Sequence, residues 1–191
     1  ALVLSLVAIT MCSICCFSKK GSGSIAEELK NNPEMVVDAL QAYEQKARDE
    51  QFAQAEKVIK ENINKINNHA ASPYVGPKDA KVVLAMFYDY SCGYCHRLYP
   101  IIKEMADKNP DVKFVFKPLT FLGPISQYSA KAVIAANQQG KFVELNDALF
   151  NFDGQLTEEK VDELAAKAGL NVEQYKSDMN SEKTLGTLSE I

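Results

Sequence analysis

The sequence predicts an α/β fold, in which one βαβ unit is preceded by a polar helical segment and followed by a run of helices. Three observations predict it. Val82 to Tyr88 is a continuous apolar run bounded by Lys81 and Asp89, as in a strand buried on both faces. Val112, Phe114 and Phe116 alternate with Lys113, Val115 and Lys117 before Pro118, giving a second strand. Between them Leu98, Ile101, Ile102 and Met105 recur at helical spacing, and Asn109 with Pro110 ends that helix. A short helical crossover makes the two strands parallel and the connection right-handed.

Composition sets the outer bounds. At 191 residues the chain holds one domain of about 150 residues with some to spare. With 47% apolar and 24% charged residues it can bury a core, which excludes a disordered or collagen-like chain. Twenty-one Lys and Arg against 25 Asp and Glu leave no basic excess to hold a phosphate backbone, so nucleic acid is not an expected partner. Of five cysteines, Cys12, Cys15 and Cys16 fall in the first 16 residues, so a framework of several disulfides cannot hold the fold.

Residues 1–23 form an export signal or anchor and a linker. Ala1 to Phe17 carries no charge and is followed by Ser18, Lys19, Lys20 and a Gly-Ser stretch. That pattern reads as a cleaved signal or an uncleaved anchor over residues 1–17, and predicts a periplasmic or otherwise exported protein. Lipidation fits poorly, because Met11, Ile14 and Cys15 stand where a small residue should precede a modified cysteine.

Residues 24–70 form a helical oligomerisation segment. Ser24 and Glu27 are spaced as a capping box, and Asn32, Pro33 and Glu34 restart a second helix. Along it Val36, Leu40, Tyr43 and Ala47 hold a narrow apolar stripe, which Phe52, Ala55, Ile59, Ile63 and Ile66 resume after a slip. So narrow a stripe cannot fill a core alone, and a contact with another subunit or with its own domain is expected.

Residues 71–191 form the main domain, beginning after Pro73, Gly76 and Pro77. Beyond Pro124 the helical segments are Ser126–Gln138, Lys141–Phe150, Glu158–Lys167, Val172–Met179 and one from Ser181. No third strand is predicted. Two strands with five helices leave the second strand with an unpaired edge, so the domain is expected to continue past Ile191.

Chemistry concentrates in Cys92-Gly93-Tyr94-Cys95-His96, where a buried strand hands over to a helix. Free N–H groups and the macrodipole at a helix N-terminus favour an anion, which predicts a Cys92 thiolate below the free thiol value of about 8.5. Cys95, one turn on, suits the resolving thiol that expels a mixed disulfide. Gly93 lets the chain turn and leaves room for a substrate backbone. Tyr94 and His96 are candidates for tuning the pair, His96 by donating to the thiolate or else simply lying on the helix surface.

With these residues in place, Ala80 to Pro118 resembles a thioredoxin fold, and Pro100 resembles the kink proline of the thioredoxin active-site helix. The helices over 125–191 resemble the helical insertion of DsbA. The N-terminal helices, Asn32-Pro33-Glu34 and Tyr74-Val75-Gly76-Pro77 resemble the exported DsbA-like and ScsC-like branch, whose members carry an oligomerising N-terminal segment. The resemblance implies a thiol-disulfide oxidoreductase with Cys92 and Cys95 catalytic, needing no cofactor and acting as an oxidase or isomerase on unfolded or misfolded disulfide-containing clients. It further implies a membrane redox-recycling partner and a homo-oligomer such as a homodimer. Gly-Tyr between the cysteines resembles the DsbC-like isomerases, and places the expected potential between about −270 and −120 mV.

Two departures stand out. The family's buried acid six residues before the first cysteine is here Met86, so proton transfer needs another route, with Asp89 either taking part or acting as a solvated turn residue. The family's cis-proline loop has no counterpart after Pro124; with a C-terminal ββα part and this loop expected past Ile191, residues 1–191 alone are expected to be impaired in insulin reduction. The same five residues also spell C-x-x-C-H, the c-type haem attachment motif, with Met105 or His69 as a distal ligand. Zinc bound with His69 and His96, and a non-catalytic stalk with a plain structural bridge, are the remaining alternatives.

Overall fold

The computed structural model describes residues 24–191. The export segment with Cys12, Cys15 and Cys16 lies outside the described residues. Two compact units divide the chain, one ending at Lys60 and one running from Glu61 to Ile191.

In the first unit, α1 (Ile25–Asn31) is capped by Ser24, whose Oγ accepts the Ala26 N–H at 3.3 Å. Helix α2 (Glu34–Asn68) follows and continues into the second unit. None of its residues is buried: Val36, Leu40, Tyr43, Phe52 and Ile59 all stand exposed. Exposed i,i+4 pairs such as Lys60–Glu56 at 2.6 Å add only tenths of a kcal/mol each.

The second unit is built on a three-stranded sheet in the order β1–β3–β2, formed by β1 (Tyr74–Val75), β2 (Val82–Tyr88) and β3 (Val112–Pro118). Strands β2 and β3 are parallel, with Val82 opposite Val112 and Tyr88 opposite Pro118, and α3 (Gly93–Lys108) makes the crossover. The thioredoxin-like βαβ unit expected from the sequence is thus present.

Three details differ from the sequence reading. A third strand exists: β1 pairs antiparallel with β3 and covers the edge that two strands would leave open. Two residues are too few to show a period of two, so β1 leaves no pattern in the sequence. Second, β3 and not β2 is the central strand, and Val82 and Phe87 of β2 are 58% and 45% exposed. A continuous apolar run shows that both faces can be buried, and neighbours decide whether they are. Third, Lys113 and Lys117 are buried although their alternation reads as solvent-facing. The Lys113 ammonium donates to the Asn67 carbonyl at 2.9 Å and that of Lys117 to Ser72 Oγ at 2.9 Å. Burial lowers the pKa of Lys117, with Lys65 and Lys113 adding to the effect.

Gly76 makes β1 possible. Its φ of +93° suits glycine, and a Cβ there would sit 2.2 Å from the Val112 carbonyl oxygen. Gly76→Ala is expected to lower stability by about 2 kcal/mol and to free β1 from β3, seen as faster amide exchange at Phe114 and Phe116.

Helices α4 (Pro124–Gln138), α5 (Phe142–Phe150), α6 (Glu158–Lys167), α7 (Val172–Met179) and α8 (Glu182–Glu190) form the insertion. Helix α4 is its axis, contacted by each of the other four. Its run Ala130, Ala132, Val133, Ile134, Ala135 and Ala136 is fully buried, and the small side chains let neighbours approach on several sides.

Candidate active site

Strand β2 ends at Tyr88, and a turn through Asp89, Tyr90 and Ser91 delivers Cys92 to the N-cap of α3. The Cys92 N–H donates to the Asp89 carbonyl at 3.0 Å, closing that turn. No side chain caps the helix, so its first N–H groups face the Cys92 sulfur. Both thiols are free and half-buried.

The environment pushes the two thiols apart. The Cys95 thiol donates to the Cys92 sulfur, and with the backbone N–H groups of Cys95 and Tyr94 it lowers the Cys92 pKa, against partial burial and the Asp89 charge. Burial is the main cause that raises Cys95, and the neighbouring Cys92 and Asp89 charges act in the same direction. One sulfur is disposed to be thiolate while the other keeps its proton.

Asp89 is not the solvated turn acid the sequence allowed. It is 1% exposed; Oδ1 accepts the Ser91 N–H at 2.8 Å and the Ser126 hydroxyl at 2.6 Å, and Oδ2 accepts the Leu122 N–H at 3.3 Å. These bonds fasten the cysteine turn to the start of α4. Met86 is buried in the apolar core, so Asp89 is the carboxylate whose charge reaches both thiols.

Gly93 has no positive φ, so the turn does not require glycine there. A Cβ at Gly93 would meet nothing within 4 Å, so the position leaves open space beside Cys92. Next to it Tyr90, Ser91, His96, Ile125 and Leu156 line a cavity of about 280 Å³. Tyr94 is 78% exposed, with the Arg97 guanidinium 4.4 Å from its ring centre, whereas Tyr88 and Tyr90 are buried.

His96 neither touches a thiolate nor lies on the surface. Its Nε2 is 2.8 Å from the Tyr90 carbonyl oxygen and its Nδ1 is 3.0 Å from that of Phe150. The Phe150 ring gathers Tyr88, Tyr90, His96 and Tyr99, with Tyr99 stacked at 4.2 Å and 11°. With both ring nitrogens engaged, His96 as placed offers no free lone pair to a haem iron. His69 bonds Ser72 Oγ at 2.8 Å and Glu190 Oε2 at 2.7 Å. Among the described residues no three His, Cys, Asp or Glu side chains gather to hold a metal ion.

A sequence model of the thioredoxin family matches residues 68–191. The chain belongs to the thioredoxin family. Among solved structures it is similar to a thioredoxin-like oxidoreductase from Silicibacter pomeroyi DSS-3, at 30% identity and a TM-score of 0.64, covering 66% of this chain and 73% of that one. It is also similar to Proteus mirabilis ScsC in a transitional conformation, at 28% identity and a TM-score of 0.63, covering 92% of this chain and 79% of that one. A curated relative, the Na(+)/H(+) antiporter NhaA 3 of Salinispora tropica, is 26% identical over 117 residues, which are 60% of this chain. The match spans only 18% of that antiporter's length.

Membership in the thioredoxin family accounts for the strand–turn–helix delivery of Cys92, and the DsbA-type helical insertion accounts for α4 to α8. Sequence reasoning missed Phe150, Ser126 and Leu122, which reach the cysteine turn from the insertion and the loop before it. No local pattern marks them. Among the described residues no helix is long and apolar enough to cross a membrane.

Proposed function

We propose that this thioredoxin-family protein exchanges disulfides with client proteins, with Cys92 attacking and Cys95 resolving. The observation that carries this reading is the opposed disposition of the two thiols, one lowered and one raised, at a helix N-terminus. The Cys92 thiolate attacks one sulfur of a client disulfide, forming a mixed disulfide and expelling the other client sulfur as thiolate. Cys95, losing its proton, then attacks the Cys92 sulfur, expels the second client thiolate and leaves Cys92–Cys95 oxidised. The client gains two electrons and, after protonation, two thiols; the reverse sequence oxidises it.

The test is the alkylation rate of each thiol against pH. Cys92 should react with iodoacetamide with a midpoint below the free-thiol value of about 8.5, while Cys95 lags until higher pH. The same shift links to stability. A depressed folded value gives the reduced protein a contribution that is present above the unfolded value and lost as pH falls through the folded one. Equal midpoints for the two thiols would refute the assignment of roles.

Gly93 and Tyr94 between the cysteines favour an isomerase or a mild oxidase over a strong oxidase, and Tyr94 supplies an exposed apolar contact for unfolded clients. The exposed stripe of α2 supports a homo-oligomer that would face two sites toward one client. Sedimentation of the protein should give a dimer or larger species, and Leu40→Glu with Tyr43→Glu should return it to monomer. Export fits the uncharged leader and disulfide chemistry, and a membrane redox partner would then reset the Cys92–Cys95 pair.

A further inference from the structure

We propose that His96 is a positioning residue that works as an imidazolium, clamping the cysteine turn to the helical insertion. The inference rests on the disulfide-exchange reading for its effect on reactivity, and on geometry alone for the clamp. Both ring nitrogens face carbonyl oxygens, Tyr90 at 2.8 Å and Phe150 at 3.0 Å. A carbonyl oxygen only accepts. A neutral imidazole carries one N–H, so in either tautomer it would set a lone pair against an oxygen; only the doubly protonated ring donates twice.

The two oxygens are not equivalent, and both favour a cation. Phe150 ends α5, so its carbonyl belongs to the unpaired group at the negative pole of that helix. Tyr90 lies in the turn that delivers Cys92, two residues ahead of it. One side chain therefore ties the redox turn to a helix of the insertion, and the edge of its ring rests on Phe150 at 5.2 Å. The charged and titratable groups nearest it are Cys92 at the N-cap, Tyr94, Cys95, Arg97 and Tyr99 on its own helix, with the Arg97 guanidinium drawn over the Tyr94 ring, Asp89 and Tyr90 in the turn, and Tyr88 on β2. From the insertion come Asp147, held by Tyr99 and by Lys103 at 2.6 Å, and Asp153 in the loop after α5. With only one N–H on the ring, one of the two bonds would become a lone-pair contact, and the turn would be held less firmly to α5.

Two measurements decide it. Ring nitrogen resonances of His96 in the reduced protein at pH 7 should show both nitrogens protonated; an unprotonated nitrogen overturns the proposal whatever the enzyme does. In H96Q both donors sit on one nitrogen and cannot reproduce two bonds aimed from separate ring nitrogens, so Cys92 alkylation should slow about tenfold, the size of one lost charge-assisted hydrogen bond. The midpoint of Cys92 alkylation against pH should also move away from the wild-type value. An unchanged rate and an unchanged Cys92 midpoint in folded H96Q would end the positioning role. If wild-type Cys92 reacts no faster than a free cysteine, the exchange reading fails, and the ring nitrogens still report on the clamp.

Discussion

Cys92→Ser should abolish disulfide exchange, leaving insulin reduction and mixed-disulfide formation with glutathione at the uncatalysed background. Serine keeps the volume and the N-cap position but offers an oxygen that stays protonated at neutral pH, and the exchange needs a thiolate. Cys95→Ser should behave differently. Cys92 can still attack, so a mixed disulfide forms and then persists because nothing expels it; trapped client adducts should survive non-reducing electrophoresis and vanish on adding dithiothreitol. Cys95→Ala, which leaves no side-chain donor beside the thiolate where serine would keep a hydroxyl, should let Cys92 alkylate with a higher midpoint than in the wild type. The asymmetry between the two serine variants is the test. A structural bridge would lose the same stability from either change and trap nothing. Two variants that trap equally would show that either sulfur can attack, against the opposed dispositions seen here.

What the sequence disclosed about this site, and what it concealed, follows from the range of the interactions. Strands β2 and β3 and helix α3 announce themselves through local periods, and Cys92 through its place at the junction of two periods. Strand β1 has two residues and no period. Lys113 and Lys117 alternate as solvent-facing residues would, because alternation separates two faces without saying what covers the polar one; here Asn67 and Ser72 do. Asp89 and His96 were visible as residues near the pair, but their roles depend on Leu122, Ser126 and Phe150, which the fold brings in from distant parts of the chain. A single sequence read by local pattern gives no register between such segments.

Asp89→Ala should destabilise the protein by about 2 kcal/mol, because one buried and two part-buried donors lose their acceptor, at about 1–3 kcal/mol where water is excluded and less where it can enter, while relief of a buried carboxylate offsets part. Those donors are the Ser91 and Leu122 N–H groups and the Ser126 hydroxyl; Ser126 can turn to Ser91 Oγ at 3.0 Å, so the backbone groups bear most of the loss. Denaturant melts give the total, and amide exchange should place the loosening at Ser91 and Leu122. Asp89→Asn separates the two parts of this residue's work. The amide oxygen can keep a bond to the Ser91 N–H, so stability should fall less than in the alanine variant. The charge is gone, and that charge opposes thiolate at both cysteines. Cys92 should therefore titrate at lower pH in Asp89→Asn than in the wild type, and since the thiolate belongs to the reduced form, the Cys92–Cys95 couple should become more oxidising. An unchanged Cys92 midpoint in a folded Asp89→Asn protein would mean that the carboxylate holds the turn in place and does nothing to set the potential.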